Sequence, residues 1–269
     1  MPTAKNQRFI ERLSTHSAPP GSAGSKPQLS NDFRALARKV DAGTQFLLIG
    51  AVGLIAFVSI QVLFLANDRV AGLIVGSMTY FLGCGLAYRE IGRSFPHPSL
   101  GLCNMITLAR FACVCLLLSA LVDGTTDRWA IIIIATLAFV SDGVDGWLAR
   151  RTGYASTFGA RFDVEVDSVF ALTLALLAFF LAGAPWYVLL LGLPRYLFGG
   201  GAFIFPWLDG QLPERFIRKA VCVFQVAALI ALLIPGFSHP MNTVLIASVL
   251  TALSWSFFVD IKWLKEAQA

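Results

Sequence analysis

Four aspartates dominate the chemistry this sequence can offer. The stretch from 142 to 167 reads DGVDGWLARRTGYASTFGARFDVEVD and carries acids at Asp142, Asp145, Asp163 and Asp167. Residues three or four apart share a helix face, so Asp142 and Asp145 are neighbours on one helix and Asp163 and Asp167 on the next. A short connection returns the second helix beside the first and lets the four carboxylates converge. Such a cluster repels itself without a cation, and hard oxygen donors with no His or Cys favour Mg²⁺, Mn²⁺ or Ca²⁺ over zinc. Gly146 and Ala149 lie one turn further on the same face and leave room for a bulky ligand, while Arg150 can pair with phosphate oxygens. A metal pair, a cationic side chain and an open groove suit transfer of a phosphoryl-type group. A lone DxxD would carry almost no weight. Four acids at the mouths of adjacent apolar segments do, because intramembrane acids are costly and usually functional.

The elements that hold these residues are apolar. Of 269 residues, 57% are hydrophobic and 14% charged, with a mean hydropathy of +0.71. Soluble domains average about 25% charged residues, so the chain reads as an all-α integral membrane protein. Segments of roughly 20 apolar residues, enough to cross a hydrocarbon core about 30 Å thick, fall at 46–66, 70–88, 102–122, 129–147, 162–182, 186–206, 217–235 and 241–261. The expected fold is a bundle of about eight transmembrane helices. With the N-terminus inside, 17 of the 21 Lys and Arg lie on the inner side and only Arg69 and Arg128 outside, leaving Arg110 and Arg195 within spans. The positive-inside rule then places both termini, and the aspartates, on the cytoplasmic side of a multi-pass protein of the inner or cell membrane.

Residues 1–40 are polar, basic and broken by Pro19, Pro20, Gly21, Gly24 and Pro27, which predicts a disordered cytoplasmic tail. No secretory signal is expected, since the first apolar run begins near Phe46 without a small-residue cleavage site after it. Cys84, Cys103, Cys113, Cys115 and Cys222 form no metal spacing and read as packing residues. Gly72-x-x-x-Gly76 permits close helix contact, and ordinary packing is favoured over a dedicated dimerisation role.

Asp142, Asp145, Gly146, Ala149, Arg150, Gly159, Asp163 and Asp167 fit the pattern D-x2-D-G-x2-A-R-x8-G-x3-D-x3-D without gap or substitution. This resembles the signature of the CDP-alcohol phosphatidyltransferases. The resemblance implies a six-helix catalytic core over residues 98–265, preceded by two extra helices in 41–97, and assembly as a homodimer. It implies CDP-diacylglycerol as donor, a small alcohol as acceptor, and two divalent ions, Mg²⁺ or Mn²⁺, with membrane lipids as surroundings and no nucleic acid partner. Carried over by position, Asp142, Asp145, Asp163 and Asp167 hold the metals and Asp167 is also the catalytic base. Gly146, Ala149, Arg150 and Gly159 belong to the nucleotide site. A second match, Asn104-x-x-Thr107-x-x-Arg110, is similar to a motif near the family's nucleotide, although Cys103 stands where many relatives have Pro. These three residues recur on one helical face.

The acceptor is read from other residues. Arg195 follows Pro194 inside the sixth predicted span, where a buried cation needs a partner or a cavity, and an acceptor phosphate would serve. Arg218 and Lys219 at the entry to the next span would add to that pocket or else serve topology and headgroup contact, and Gln225 two turns further in would hydrogen-bond an acceptor hydroxyl. Glu165 lies about 200° around its helix from Asp163 and is expected to pair with Arg161. These positions favour a phosphorylated acceptor such as glycerol 3-phosphate or inositol phosphate over free serine or choline. A cation transporter is the rival from another class, but it predicts acids near the midplane rather than at the rim. A silent membrane scaffold would need no intact set of four acids.

Overall fold

The computed structural model describes residues 41–65, 70–95, 97, 99–125, 127–152, 156–210, 215–236 and 239–266, with the side chains of 64, 65, 94, 145–150, 152, 206 and 209 outside that description. The tail 1–40 also lies outside the described residues. In hydrocarbon every backbone polar group must be satisfied within its own segment or by a neighbour, and the described chain is helical throughout, with no strand. Among the described residues eight α-helices follow one another: α1 (Ala42–Ile60, continued by one π turn at Gln61–Leu65), α2 (Ala71–Ser94), α3 (Gly101–Asp123), α4 (Arg128–Thr152), α5 (Thr157–Phe180), α6 (Pro194–Ile204), α7 (Phe216–Leu232) and α8 (His239–Glu266). Four of them, α1 to α3 and α8, are long and apolar enough to cross a membrane. The first half of α5 carries Arg161, Asp163, Glu165 and Asp167, which sets it apart from those four.

One predicted span is broken. Residues 186–206 form a 3-10 turn at Trp186–Leu191, a joint at Gly192 and Leu193, and then the 11-residue α6. Pro194 is the reason: it has no N–H to donate and its ring clashes with the carbonyl four residues back, so it is tolerated at a helix start rather than in its interior. Arg195 therefore sits in the first turn of a short peripheral helix, not deep in a continuous span.

The centre of the bundle is α3. More than half of its apolar stretch (56%) is buried inside the protein, against 17–22% for the other three apolar helices, and it packs against α1, α2, α4 and α5. The N-terminal pair is fixed to it in two ways. Rings run from Phe57 on α1 through Tyr80 on α2 to Phe111 on α3, with centroids 6.4 and 5.7 Å apart. At the far end of α3, the buried Asp123 accepts hydrogen bonds from the Gly72 N–H at 2.7 Å and from Gln61 Nε2 at 3.2 Å.

The Gly72-x-x-x-Gly76 motif serves this internal contact. A Cβ at Gly72 would lie 2.3 Å from Asp123 Oδ2 and 2.4 Å from the Ser119 carbonyl oxygen, and one at Gly76 would lie 2.7 Å from the Phe57 ring. Gly72→Ala is expected to destabilise the protein by about 1–3 kcal/mol, as overpacking does. Gly85, with nothing within 4 Å of an added Cβ, should gain slightly in stability on replacement by Ala, by no more than about 1 kcal/mol. Thermal unfolding of the two variants in the same detergent checks both signs.

Candidate active site

Helices α3, α4 and α5 meet where three carboxylates converge. Asp142 comes from α4, and Asp163 and Asp167 come from successive turns of α5, as their four-residue spacing requires. Their ligand oxygens lie within 4.8 Å of one another and all three residues are half-buried. Asp145 stands one turn after Asp142 on α4, and its side chain lies outside the described residues, as do those of Ala149 and Arg150.

Between the carboxylates sits Arg110 of α3. Its guanidinium has no exposed side-chain surface and pairs with Asp142 and Asp163, with Asp167 at 3.4 Å. Reading the sequence alone put Arg110 beside the nucleotide and missed its place among the acids. Two residues of the same α3 face are buried with it, Asn104 at 3% and Thr107 at 4% exposure. Asn104 Nδ2 donates to the Leu100 carbonyl at 2.6 Å and Thr107 Oγ1 to the Cys103 carbonyl at 3.1 Å.

Local sequence explains how α5 reaches this face. Ser156 caps α5, its hydroxyl accepting from the Gly159 N–H at 3.0 Å, a favoured use of serine at a helix start. A Cβ on Gly159 would come within 2.7 Å of Asn104 Oδ1, so glycine there allows the first turn of α5 to lie against α3. Deeper in, Phe162 meets Phe111 edge to face at 6.1 Å.

The residues expected to bind an acceptor are placed differently. Arg195 is half-exposed and pairs with Glu165 at 2.6 Å, which corrects two expectations: Arg195 is not buried, and the partner of Glu165 is not Arg161. Gln225 is buried, and its Nε2 donates to the Leu191 carbonyl at 2.5 Å, tying α7 to the 3-10 turn. Arg218, with Arg215, faces the buried Asp260 of α8 at 3.5 Å, an acid that sequence reasoning passed over at the end of the last span. Lys219 is exposed. Helix α7 packs on α4 and α5, so it borders the two helices that carry the carboxylates.

Residues 100–259 match the profile of the CDP-alcohol phosphatidyltransferases. The chain belongs to this family. It is therefore a phosphatidyltransferase of phospholipid synthesis, taking a CDP-alcohol donor and an alcohol acceptor. Membership of a membrane-bound family, with the four apolar helices, makes it an integral membrane protein. Among curated relatives it is 28% identical over 163 residues to a Mycobacterium tuberculosis protein named "Putative cardiolipin synthase", covering 58% of this chain and 73% of that one. A Mycobacterium bovis protein of the same name matches equally. A Mycobacterium tuberculosis protein named "Probable phosphatidylglycerophosphate synthase" is 26% identical over 170 residues, covering 62% of this chain and 81% of the relative. No solved structure gave a significant match.

The CDP-alcohol phosphatidyltransferases use divalent metal ions, and the donor set here fits them. Three carboxylates supply oxygens close enough to share a hard cation, and a guanidinium already supplies positive charge at that point. Removing one partner of a buried ion pair leaves uncompensated charge. Arg110→Met is therefore expected to lower stability in EDTA by about 3 kcal/mol, the low end for such pairs because the carboxylates are partly exposed. Mn²⁺ should raise the melting temperature more in this variant than in the wild type, since no guanidinium then competes for the oxygens. Equal Mn²⁺ stabilisation of both would show that arginine and metal do not share them.

Proposed function

We propose that the protein transfers the phosphatidyl group of CDP-diacylglycerol to the hydroxyl of a phosphorylated small alcohol and releases CMP, with glycerol 3-phosphate as the first candidate acceptor. The observation that carries this reading is the convergence of Asp142, Asp163 and Asp167 on the Arg110 guanidinium. Such a site binds cations and, through them, polyanions. The acceptor hydroxyl oxygen bonds to the lipid-linked phosphorus, the bond from that phosphorus to the bridging oxygen breaks, and CMP departs with the electron pair. Two divalent ions, Mg²⁺ or Mn²⁺, held by Asp142, Asp145, Asp163 and Asp167, would neutralise the diphosphate and stabilise departing CMP.

The chain's own residues do the rest. Asp167 takes the hydroxyl proton on a carboxylate oxygen; it is the most exposed of the three, at 46% of its side-chain surface, and so the most open to an incoming acceptor. Gly146, Ala149 and Arg150 contact the cytidine diphosphate, with Asn104, Thr107 and Gly159 shaping the pocket wall. For the acceptor phosphate we propose Arg218 and Lys219, because α7 borders the two helices that carry the carboxylates. Arg195, tied to Glu165, and Gln225, tied to Leu191, frame that pocket. A phosphorylated acceptor also accords with the relative named for phosphatidylglycerophosphate synthesis. The family resemblance makes the six helices of residues 98–265 the catalytic unit and two such chains a homodimer, and the positive-inside pattern puts the site and both termini in the cytoplasm.

Purified protein supplied with CDP-diacylglycerol, Mn²⁺ and a panel of acceptors should release CMP in an acceptor-dependent way, fastest with glycerol 3-phosphate. CMP release with none of the acceptors would sink the reading. In the same assay Asp167→Asn is expected to slow turnover by roughly 10²–10⁴-fold, the usual weight of a general base, while keeping most CDP-lipid binding. Arg218→Gln should raise the KM for the phosphorylated acceptor roughly tenfold, as loss of a charge-assisted hydrogen bond does, and leave the KM for the CDP-lipid near its original value.

A further inference from the structure

A cavity lined by none of the three clustered aspartates opens beside α5. It is a groove of about 380 Å³ between α2 and α5, floored by Phe111. Its walls are apolar: Leu82 and Leu86 on α2, and Phe158, Phe162 and Val166 on α5. On α2 the lining repeats at three- and four-residue intervals from Thr79 to Glu90, so one continuous stripe of that helix faces α5. Leu82 and Leu86 are more than half exposed, so the groove opens sideways, toward the bilayer rather than toward water.

Three properties identify what fits it. The first is length: from Thr157 to Val169 the lining of α5 runs about 18 Å at 1.5 Å per residue, close to one leaflet's share of a hydrocarbon core about 30 Å thick. The second is polarity: Thr157 and Arg161 lie in the first two turns of α5 and Glu165 one turn beyond, Glu90 lies near the end of α2, and Thr79 is the one polar residue at the other end of the α2 lining. The third is charge. Glu165 is held by Arg195 at 2.6 Å and Glu90 by Arg93 at 3.3 Å, whereas Arg161, once relieved of Glu165, makes no ion pair among the described residues. An apolar slot of leaflet depth with an uncommitted guanidinium at its mouth is complementary to one acyl chain and the phosphate above it.

We propose that the groove between α2 and α5 binds a membrane phospholipid, one acyl chain lying against Leu82, Leu86, Phe158 and Phe162 and the phosphate held by Arg161. This lipid is not the CDP-linked donor, whose diphosphate belongs with Arg110 and the carboxylates. Phe162 and Val166 flank Asp163 and Asp167 in sequence but face the groove, so α5 separates the two. Half of this site is made by α2, one of the two helices that precede the 100–259 family match. Helix α2 thus acquires a role in lipid binding, and the site needs no catalysis to be filled.

The test uses the full-length protein in nanodiscs, with unlabelled CDP-diacylglycerol present throughout to fill the donor site. Two probes are compared, a phosphatidylglycerol and a diacylglycerol, each carrying a diazirine in one acyl chain. After photolysis, peptide mass spectrometry should find the phosphatidylglycerol label on α2 around Leu82–Leu86 and on α5 around Phe158–Val166, roughly tenfold above the diacylglycerol label, the factor expected of one charge-assisted contact. Arg161→Gln should bring the phosphatidylglycerol label down to the diacylglycerol level. Leu86→Trp, which fills the slot from its exposed side, should reduce both labels, and matching elution profiles and melting temperatures establish that the variants are folded. Equal labelling by the two probes in the wild type, or unchanged labelling in both folded variants, overturns the proposal.

Discussion

Arg110 carries a full charge on a side chain with no exposed surface, and three carboxylates from two other helices surround it. Neither side of this arrangement is stable alone: a bare guanidinium buried there would cost several kcal/mol, and three half-exposed carboxylates so close together repel one another. The contact therefore dictates the relative placement of α3, α4 and α5. The small side of Gly159, the Ser156 cap and the Phe111–Phe162 ring contact all act where α5 has to come close to α3. A cluster built this way holds a preformed set of oxygens at a fixed spacing. That is the condition for stabilising charge in a transition state without rearranging the protein.

The opposite end of α3 is pinned by a different kind of contact. Asp123 is buried at 2% exposure and its two donors are neutral, the Gly72 N–H and the Gln61 amide. Together with the Phe57–Tyr80–Phe111 rings, this makes the N-terminal pair a fixed part of the bundle rather than an appendage on a hinge. A second buried acid, Asp260 at 4% exposure, sits opposite Arg215 and Arg218 and joins α8 to α7. Charged groups thus appear at helix junctions, where each can find a partner on a neighbouring helix, as the cost of leaving them in lipid requires.

What was legible in the sequence follows from what is local. Apolar runs bounded by charge mark helices, and acids three or four apart mark one face, so the aspartate pairs on α4 and α5 and the length of most helices could be read directly. Long-range pairing could not. Arg110 is 32 residues from Asp142 and 53 from Asp163, and nothing in its own neighbourhood names those partners. Asp123 and Asp260 stand at the ends of apolar runs, where an acid reads as solvated; only the packing of α2 and α7 buries them. Pro194 did announce a disturbance, but a kink and a full break look alike in sequence when a 3-10 turn fills the gap.

Arg195 shows how the break changes the logic of the acceptor side. Within a continuous span it would be a buried cation in search of a ligand. In the first turn of α6 it is instead a cation at the positive end of a helix, where the backbone dipole disfavours it. Glu165 offsets that penalty and at the same time ties the otherwise peripheral α6 to α5. The ion pair is thus explained by the helix that carries it, without any substrate. Positive charge for an acceptor phosphate is then to be sought on a helix that borders those carrying the carboxylates, and Arg218 and Lys219 at the start of α7 meet that condition. The same pairing leaves Arg161 without an acid and frees it to face the lipid groove. A single proline at 194 thereby redirects the charges on both sides of α5.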